Sequence, residues 1–280
     1  GPNQIRMYAN STSNTPTIDG TLYMRSGTFT KGFGGPTIVI SPSQITDQTG
    51  SPYIRTTAIV RGPSGNYYGL LHVGDTYPSQ TGYLPAWATS NDGVHWNYQG
   101  KIHIDGGQPY AYSNSAAMVV QEEKPAVLDA ANPTNNRFVA WEDGYGYELD
   151  GIYKKLVLIY SADGLDWHFY RDAGGVVIDV WPNDPAVAND FTVFESATRT
   201  PYGYHMIAPD KWPPTAHRHL WSCDGLKWSV VDMNAGTYNQ VSTTVHKGTN
   251  LVYEPATNLI HALTTGTHFT LPAQALPCPP

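Results

Sequence analysis

Three aspartates recur at nearly one interval in this chain: Asp75, Asp143 and Asp210, separated by 68 and 67 residues. Aromatic rings trail each of them, Tyr77 behind the first, Tyr145 and Tyr147 behind the second, Trp212 behind the third. Further acids stand at Glu122, Glu123, Glu142 and Asp190, and Trp181 and Asp184 lead up to the last. Flat rings stack on the apolar faces of sugars and carboxylates bond their hydroxyls, so acids interleaved with aromatics point to a carbohydrate site. A single such acid can equally serve a turn backbone or face solvent, and it is the constellation that carries weight.

Cleaving a glycosidic bond takes two carboxyl groups, one protonated to donate to the leaving oxygen and one ionised to activate water or attack the sugar. Their pKa values must be pushed apart by burial or by a further acid. The expected catalytic trio is Glu142, Asp190 and Glu123. Glu142 follows Val139, Ala140 and Trp141 at a strand end and reads as the acid, Asp190 as the general base, and Glu123 as a tuning or hydroxyl-binding group. Asp75, Asp143, Asp210, Arg55, His72, Tyr145, Trp181 and Trp212 are expected to bind substrate.

The elements that would position these groups are legible from a repeat. Ser-x-Asp-Gly-x-x-Trp occurs as Ser90 to Trp96, Ser161 to Trp167 and Ser222 to Trp228, with the tryptophans 71 and 61 residues apart. Asp-Gly supplies a tight turn, because Gly accepts positive φ and Asp bonds its own backbone. Each tryptophan should open the next strand and fill the space between sheets. A unit of about 60 to 70 residues fits a chain of 280 between four and five times, and radial units of four short antiparallel strands make a β-propeller. The expected fold is all-β, a five-bladed propeller of four-stranded antiparallel blades in one domain over residues 1–280, with a Pro-rich tail at 271–280.

Innermost strands are expected at 56–60, 125–128, 191–194 and 243–245. Second strands are expected at 67–73, 137–141, 202–208 and 258–263, and residues 21–25 and 37–40 supply strands of the remaining blade. The start of an innermost strand and the end of the second strand share one rim, which is where the acids above gather.

Composition agrees: 27 Gly, 22 Pro and 19 Tyr, no long run at helical spacing and no apolar stretch long enough to span a membrane. A net charge of −7 without a Lys/Arg cluster argues against nucleic acid, so the expected partner is a carbohydrate, with neither nucleic acid nor membrane. His217 and His219 read as a polar strand face, and no metal site is expected. Cys223 and Cys278 allow one disulfide to the tail or two free thiols. Low Lys content, many aromatics and a glycosylation-type triplet at Asn10 lean towards a secreted protein, with Gly1-Pro2 read as the scar of a removed tag and any leader absent.

The turns SNDGVHW, SADGLDW and SCDGLKW, with EKPAVLDAANPTNNRFVAWEDG and NDFTVFESATRTPYGYHMIAPD, resemble the five-bladed propeller glycosidases over residues 50–265. That group holds the arabinanases, xylosidases and α-L-arabinofuranosidases of glycoside hydrolase family 43 and the related fructan hydrolases. The resemblance implies a central funnel with base, pKa modulator and acid from separate blades, no organic cofactor, and at most a structural ion in the channel. It departs at the base, which the family carries in an Asp-Pro context in an early blade. Here Tyr53 to Thr56 hold no acid, and Asp184-Pro185 lies well along the chain.

The expected activity is hydrolysis of a neutral glycan, furanose-containing or of plant or microbial type. The alternatives are a non-catalytic glycan- or receptor-binding propeller, and a polysaccharide lyase in which Arg55 with His72 would provide the base and neutralise a uronate.

Overall fold

The computed structural model describes residues 5–10, 21–28, 31–47, 53–74, 84–107, 116–120, 137–143, 148–149, 152–153, 156–180, 196–209, 217–231, 250–263, 268–276 and 278. Among them the only helical segment is a 3-10 turn, Pro42–Gln44, and no helix is long and apolar enough to cross a membrane.

The first sheet holds β1 (Ile5–Asn10), β2 (Leu22–Thr28), β3 (Gly32–Phe33) and β4 (Thr37–Ile40). The second holds β5 (Tyr53–Arg61), β6 (Tyr67–Gly74), β7 (Leu84–Ser90) and β8 (Asn97–Lys101), in that order. After the short β9 (His103–Ile104) come β10 (Ala116–Val120), β11 (Phe138–Asp143), the small hairpin β12 (Glu148–Leu149) and β13 (Ile152–Tyr153), then β14 (Leu156–Ser161) and β15 (Asp166–Phe169). Strands β10, β11, β14 and β15 make the third sheet. The fourth runs β16 (Ser196–Thr200), β17 (Gly203–Pro209), β18 (His217–Ser222) and β19 (Ser229–Val231). The fifth has β20 (Asn250–Glu254), β21 (Leu259–Leu263) and β22 (His268–Pro272). The fold is a five-bladed β-propeller.

Blade size varies more than expected. The fifth blade has three strands among the described residues, and the third gains β9, which runs parallel to β15 with Asp166 opposite His103. The burial patterns explain strand rank: β14 is covered on both faces, whereas β15 alternates exposed and buried, as an outer strand with one covered face must.

Second strands lie where expected, at β6, β11, β17 and β21, but three innermost strands do not. The partner of β11 is β10, Ala116–Val120, ahead of the expected 125–128. The partners of β17 and β21 are Ser196–Thr200 and Asn250–Glu254, beyond the expected 191–194 and 243–245. The expectation took the nearest apolar run. Register pairs Val120 with Phe138 across a connection of 121–137, so a tight hairpin does not govern that pairing. The three expected segments lie outside the described residues.

Two compact units divide the chain, Gly1–Asn114 with Asp163–Trp167, and Ser115–Ala162 with His168–Pro280. In the first, Leu22, Met24 and Ile40 of one sheet pack with Ile54, Leu71, Val73, Ala86 and Trp96 of the next. The turn at 163–167 counts with this unit because Gly164 seats against the ring of Trp87, which meets Trp167 edge to face at 6.0 Å. In the second, Val139, Trp141, Leu156 and Leu158 pack with Ala197, Tyr204, Met206, Leu220 and Trp228. Ile207 joins Leu251, Ile260, Ala262 and Ala273 of the fifth sheet.

The repeated turns behave as their chemistry requires. In the first, Ser90 Oγ accepts from Gly93 N–H at 2.8 Å, and Asp92 Oδ1 accepts from Val94 and His95 N–H, each at 2.8 Å. In the third, Ser222 Oγ accepts from Gly225 N–H at 2.8 Å and Asp224 Oδ1 from Leu226 and Lys227 at 2.8 and 3.0 Å. Gly93, Gly164 and Gly225 have φ of +71, +91 and +81°, the conformation that makes Gly necessary there. Cys223, inside the third turn, is bonded to Cys278 of the tail, resolving the choice left open by the sequence.

Candidate functional site

Strand β11 alternates Val139 and Trp141 into the core with Phe138, Ala140 and Glu142 on the other side. Glu142 therefore falls at the strand's end, level with Ala116 of β10 and Val157 of β14, and only 1% of it is exposed. Acids are almost never buried to that degree unless paired. Asp143 is the last residue of β11, opposite Leu156.

A third carboxylate reaches the same sheet end. Asp179 Oδ1 accepts from the N–H of Leu156 at 3.2 Å, while Val180 N–H donates to the carbonyl of Leu156 at 2.9 Å. The segment thus adds to the β14 edge, with Val177 and Val180 buried and Asp179 half-buried. Sequence reasoning missed Asp179 because it has no counterpart at the blade interval. The apolar run Val176, Val177 and Ile178, resumed at Val180 after Asp179, was the available signal.

In the second unit the innermost strands β10, β16 and β20 pack side by side. Strand β16 opens at Ser196, so the acid directly before it is Glu195, with Asp190 six residues away. Placing the innermost strand over 191–194 had concealed Glu195, which lies outside the described residues. Glu122 and Glu123 follow β10 in the chain, so the position argued for Glu123, ahead of an innermost strand, does not hold. At the second-strand ends, β6 stops at Gly74, one residue before Asp75, and β17 at Pro209, one before Asp210.

In the first unit the register of β5 on β6 slips: Ile54 faces Val73 and Thr57 faces Leu71, which leaves Arg55 and Thr56 opposite the single residue His72. A bulge of this kind re-aims side chains and recurs beside functional sites. His72 is fully buried, with Pro85 of β7 on its other side.

Of the expected site residues, the structure brings Glu142 and Asp143 together at one sheet end and Arg55 and His72 together at one bulge. Asp75, Glu122, Glu123, Tyr145, Tyr147, Trp181, Asp184, Asp190, Asp210 and Trp212 lie outside the described residues. Among the described residues no group of three or more His, Cys, Asp or Glu is arranged to hold a metal. Nε2 of His219 instead meets Nδ1 of His205 at 2.7 Å, within the fourth sheet.

No protein-family model and no curated protein sequence matches the chain. Solved structures do. A glycosyl hydrolase from Bacteroides ovatus superposes with a TM-score of 0.62 at 14% identity, over 99% of this chain and 83% of the other. A family GH43 β-1,3-galactosidase crystallised with galactodeoxynojirimycin gives 0.55 at 10% identity, over 94% and 83%. A structure from the GH130 family, whose glycoside hydrolases target β-1,2-mannosidic linkages in Candida mannan, gives 0.58 at 13% identity, over 98% and 82%. At these identities the likeness establishes the shared propeller fold.

Proposed function

We propose that this chain is a glycoside hydrolase that cleaves a neutral glycan by carboxylate acid/base chemistry on the rim where second strands end. The observation that carries the reading is Glu142, an acid 1% exposed at the end of β11, with Asp143 in sequence and Asp179 on the adjoining strand edge. Hydrolysis of a glycosidic bond needs two carboxyl groups at one site, one to donate a proton and one to activate water or attack the sugar, and this sheet end carries carboxyl groups. In this reading Glu142 donates the proton to the leaving oxygen. Asp190 or Glu195, which precede β16, activates water, and Asp75, Asp143 and Asp210 bind hydroxyls, with Arg55 and His72 at the bulge and Tyr145, Trp181 and Trp212 as stacking rings. The reaction so drawn requires no organic cofactor.

The Cys223–Cys278 disulfide supports an extracellular setting, since such bonds persist in oxidising compartments. The galactoside and mannoside substrates of the structural neighbours broaden the candidates beyond furanose-containing glycans.

The test is incubation with β-1,3-galactans, β-1,2-mannans, arabinans, xylans and fructans, reading reducing ends and unsaturated products together. New reducing ends that vanish in Glu142→Gln support hydrolysis at this rim. Unsaturated products would instead indicate a lyase, and glycan binding without product a binding module.

A further inference from the structure

The fourth sheet sorts its side chains cleanly. Tyr204, Met206 and Leu220 face the third sheet, whereas Ile207 packs on Leu251, Ile260, Ala262 and Ala273 of the fifth. His205 shares the face of Ile207 on β17, and register places His219 opposite Ile207 and Trp221 opposite His205. Two histidines and a tryptophan are therefore buried on the side that meets an apolar sheet.

The two imidazoles lie 2.7 Å apart, Nδ1 of His205 to Nε2 of His219, with rings stacked within 14°. That contact is one N–H···N hydrogen bond between neutral rings. Burial pushes both pKa values down, His205 to about 4, so both rings are neutral at pH 7. Nε2 of His205 and Nε1 of Trp221 are buried and have no hydrogen-bond partner among the described residues. A first proton would turn the pair into a buried cation. A second would make both facing nitrogens donors and break the hydrogen bond.

Among the described residues, the groups nearest the pair are apolar side chains and a hydroxyl. On β16, Thr198 faces His205, while Arg199 lies on the other face over the ring of Tyr204 at 5.8 Å. At the start of β18, His217 and Arg218 pair in register with Pro209 and Ala208, and on β19 Val231 pairs with His219. From the fifth sheet come Leu251, Ile260 and Ala262, with Glu254 and His261 on the alternate strand positions and bonded to each other at 3.1 Å. The tail beyond β22 is tied to the fourth sheet by Cys223–Cys278.

We infer that the His205–His219 pair makes the seam between the fourth and fifth sheets an acid-released latch: protonation of the pair parts the two sheets, and the Cys223–Cys278 disulfide keeps the freed sheet attached for return at neutral pH. The latch stands apart from the proposed glycosidase rim and holds whatever the substrate.

Amide hydrogen exchange of the whole chain at pH 7.5 and pH 4.5, corrected for intrinsic rates, tests it. Protection across β20–β22 falls at least about tenfold relative to β10, β11 and β14 at the lower pH, and recovers on return. In the double variant His205→Asn with His219→Gln, whose facing amides do not titrate, that selective loss disappears. If the double variant does not fold, the wild-type experiment decides alone. Unchanged protection in the fifth sheet, or a loss equal across all sheets, overturns the inference.

Discussion

Trp141 donates its indole N–H to the carbonyl of Gly225, 2.8 Å away and 84 residues further along the chain. The same carbonyl accepts the indole N–H of Trp228 at 3.1 Å, and the two rings cross edge to face with centroids 5.4 Å apart. An aromatic side chain of the third sheet thus locks the Asp-Gly turn of the fourth. The first turn repeats the device with a different residue: the hydroxyl of Tyr8 donates to the Gly93 carbonyl at 2.9 Å, and its ring meets Trp96 at 87°. At the second, Trp87 packs on Gly164. Each repeated turn is closed from within by its Asp, in the first and third by its Ser as well, and from outside by a ring of the preceding sheet.

Gly164→Ala should cost about 3 kcal/mol or more, because its φ is +91° and a Cβ would lie 2.1 Å from the Trp87 ring. Gly175→Ala is the control: φ is +80° but the space is open, so only the backbone cost of about 1 kcal/mol applies. Urea denaturation of both variants checks the difference, and equal losses would remove the argument for the ring lock.

Cys223→Ser with Cys278→Ser should lower stability by up to about 4 kcal/mol, since the bond closes a separation of 55 residues. The loss should be read by urea denaturation at neutral pH, in the absence of reductant for both proteins.

Stability should fall with acid. The folded protein holds His205 at about 4 by burial, below its ordinary 6.5, so between those values the unfolded chain binds more protons. His205's contribution is complete above about pH 6.5 and is lost as pH falls towards 4, a change of roughly 3 kcal/mol for this one group. Denaturation at pH 7.5, 6.5, 5.5 and 4.5 gives the slope. A flat profile over that range would contradict the buried neutral pair.

Glu142→Gln should reduce hydrolysis by roughly 10²- to 10⁴-fold if Glu142 makes the proton transfer, with stability little changed because the shape is kept. Asp179→Asn should have a smaller effect, since one of its oxygens is spent on the Leu156 N–H. Steady-state kinetics on the best substrate separates the two; equal losses would give Asp179 a place in the chemistry.

The turns and second strands could be read from the chain because their chemistry is local: Ser, Asp, Gly and Trp within seven residues carry their own hydrogen bonds, and β6, β11, β17 and β21 directly follow turn residues or precede acids. From those the fold class followed, as did the place of Glu142 and Asp143 at the end of β11 and the burial of Trp96, Trp167 and Trp228. The innermost strands were decided by tertiary pairing. Ser196–Thr200, with Arg199 and three hydroxyl residues, has no apolar signal of its own and becomes a strand by lying along β17. The same holds for the contacts between residues distant in the chain. That Asp179 comes to Leu156, that Arg55 and Thr56 share His72, and that His205 meets His219 across 14 residues depend on register and bulges set by sheets packing on one another, which no local run of residues encodes.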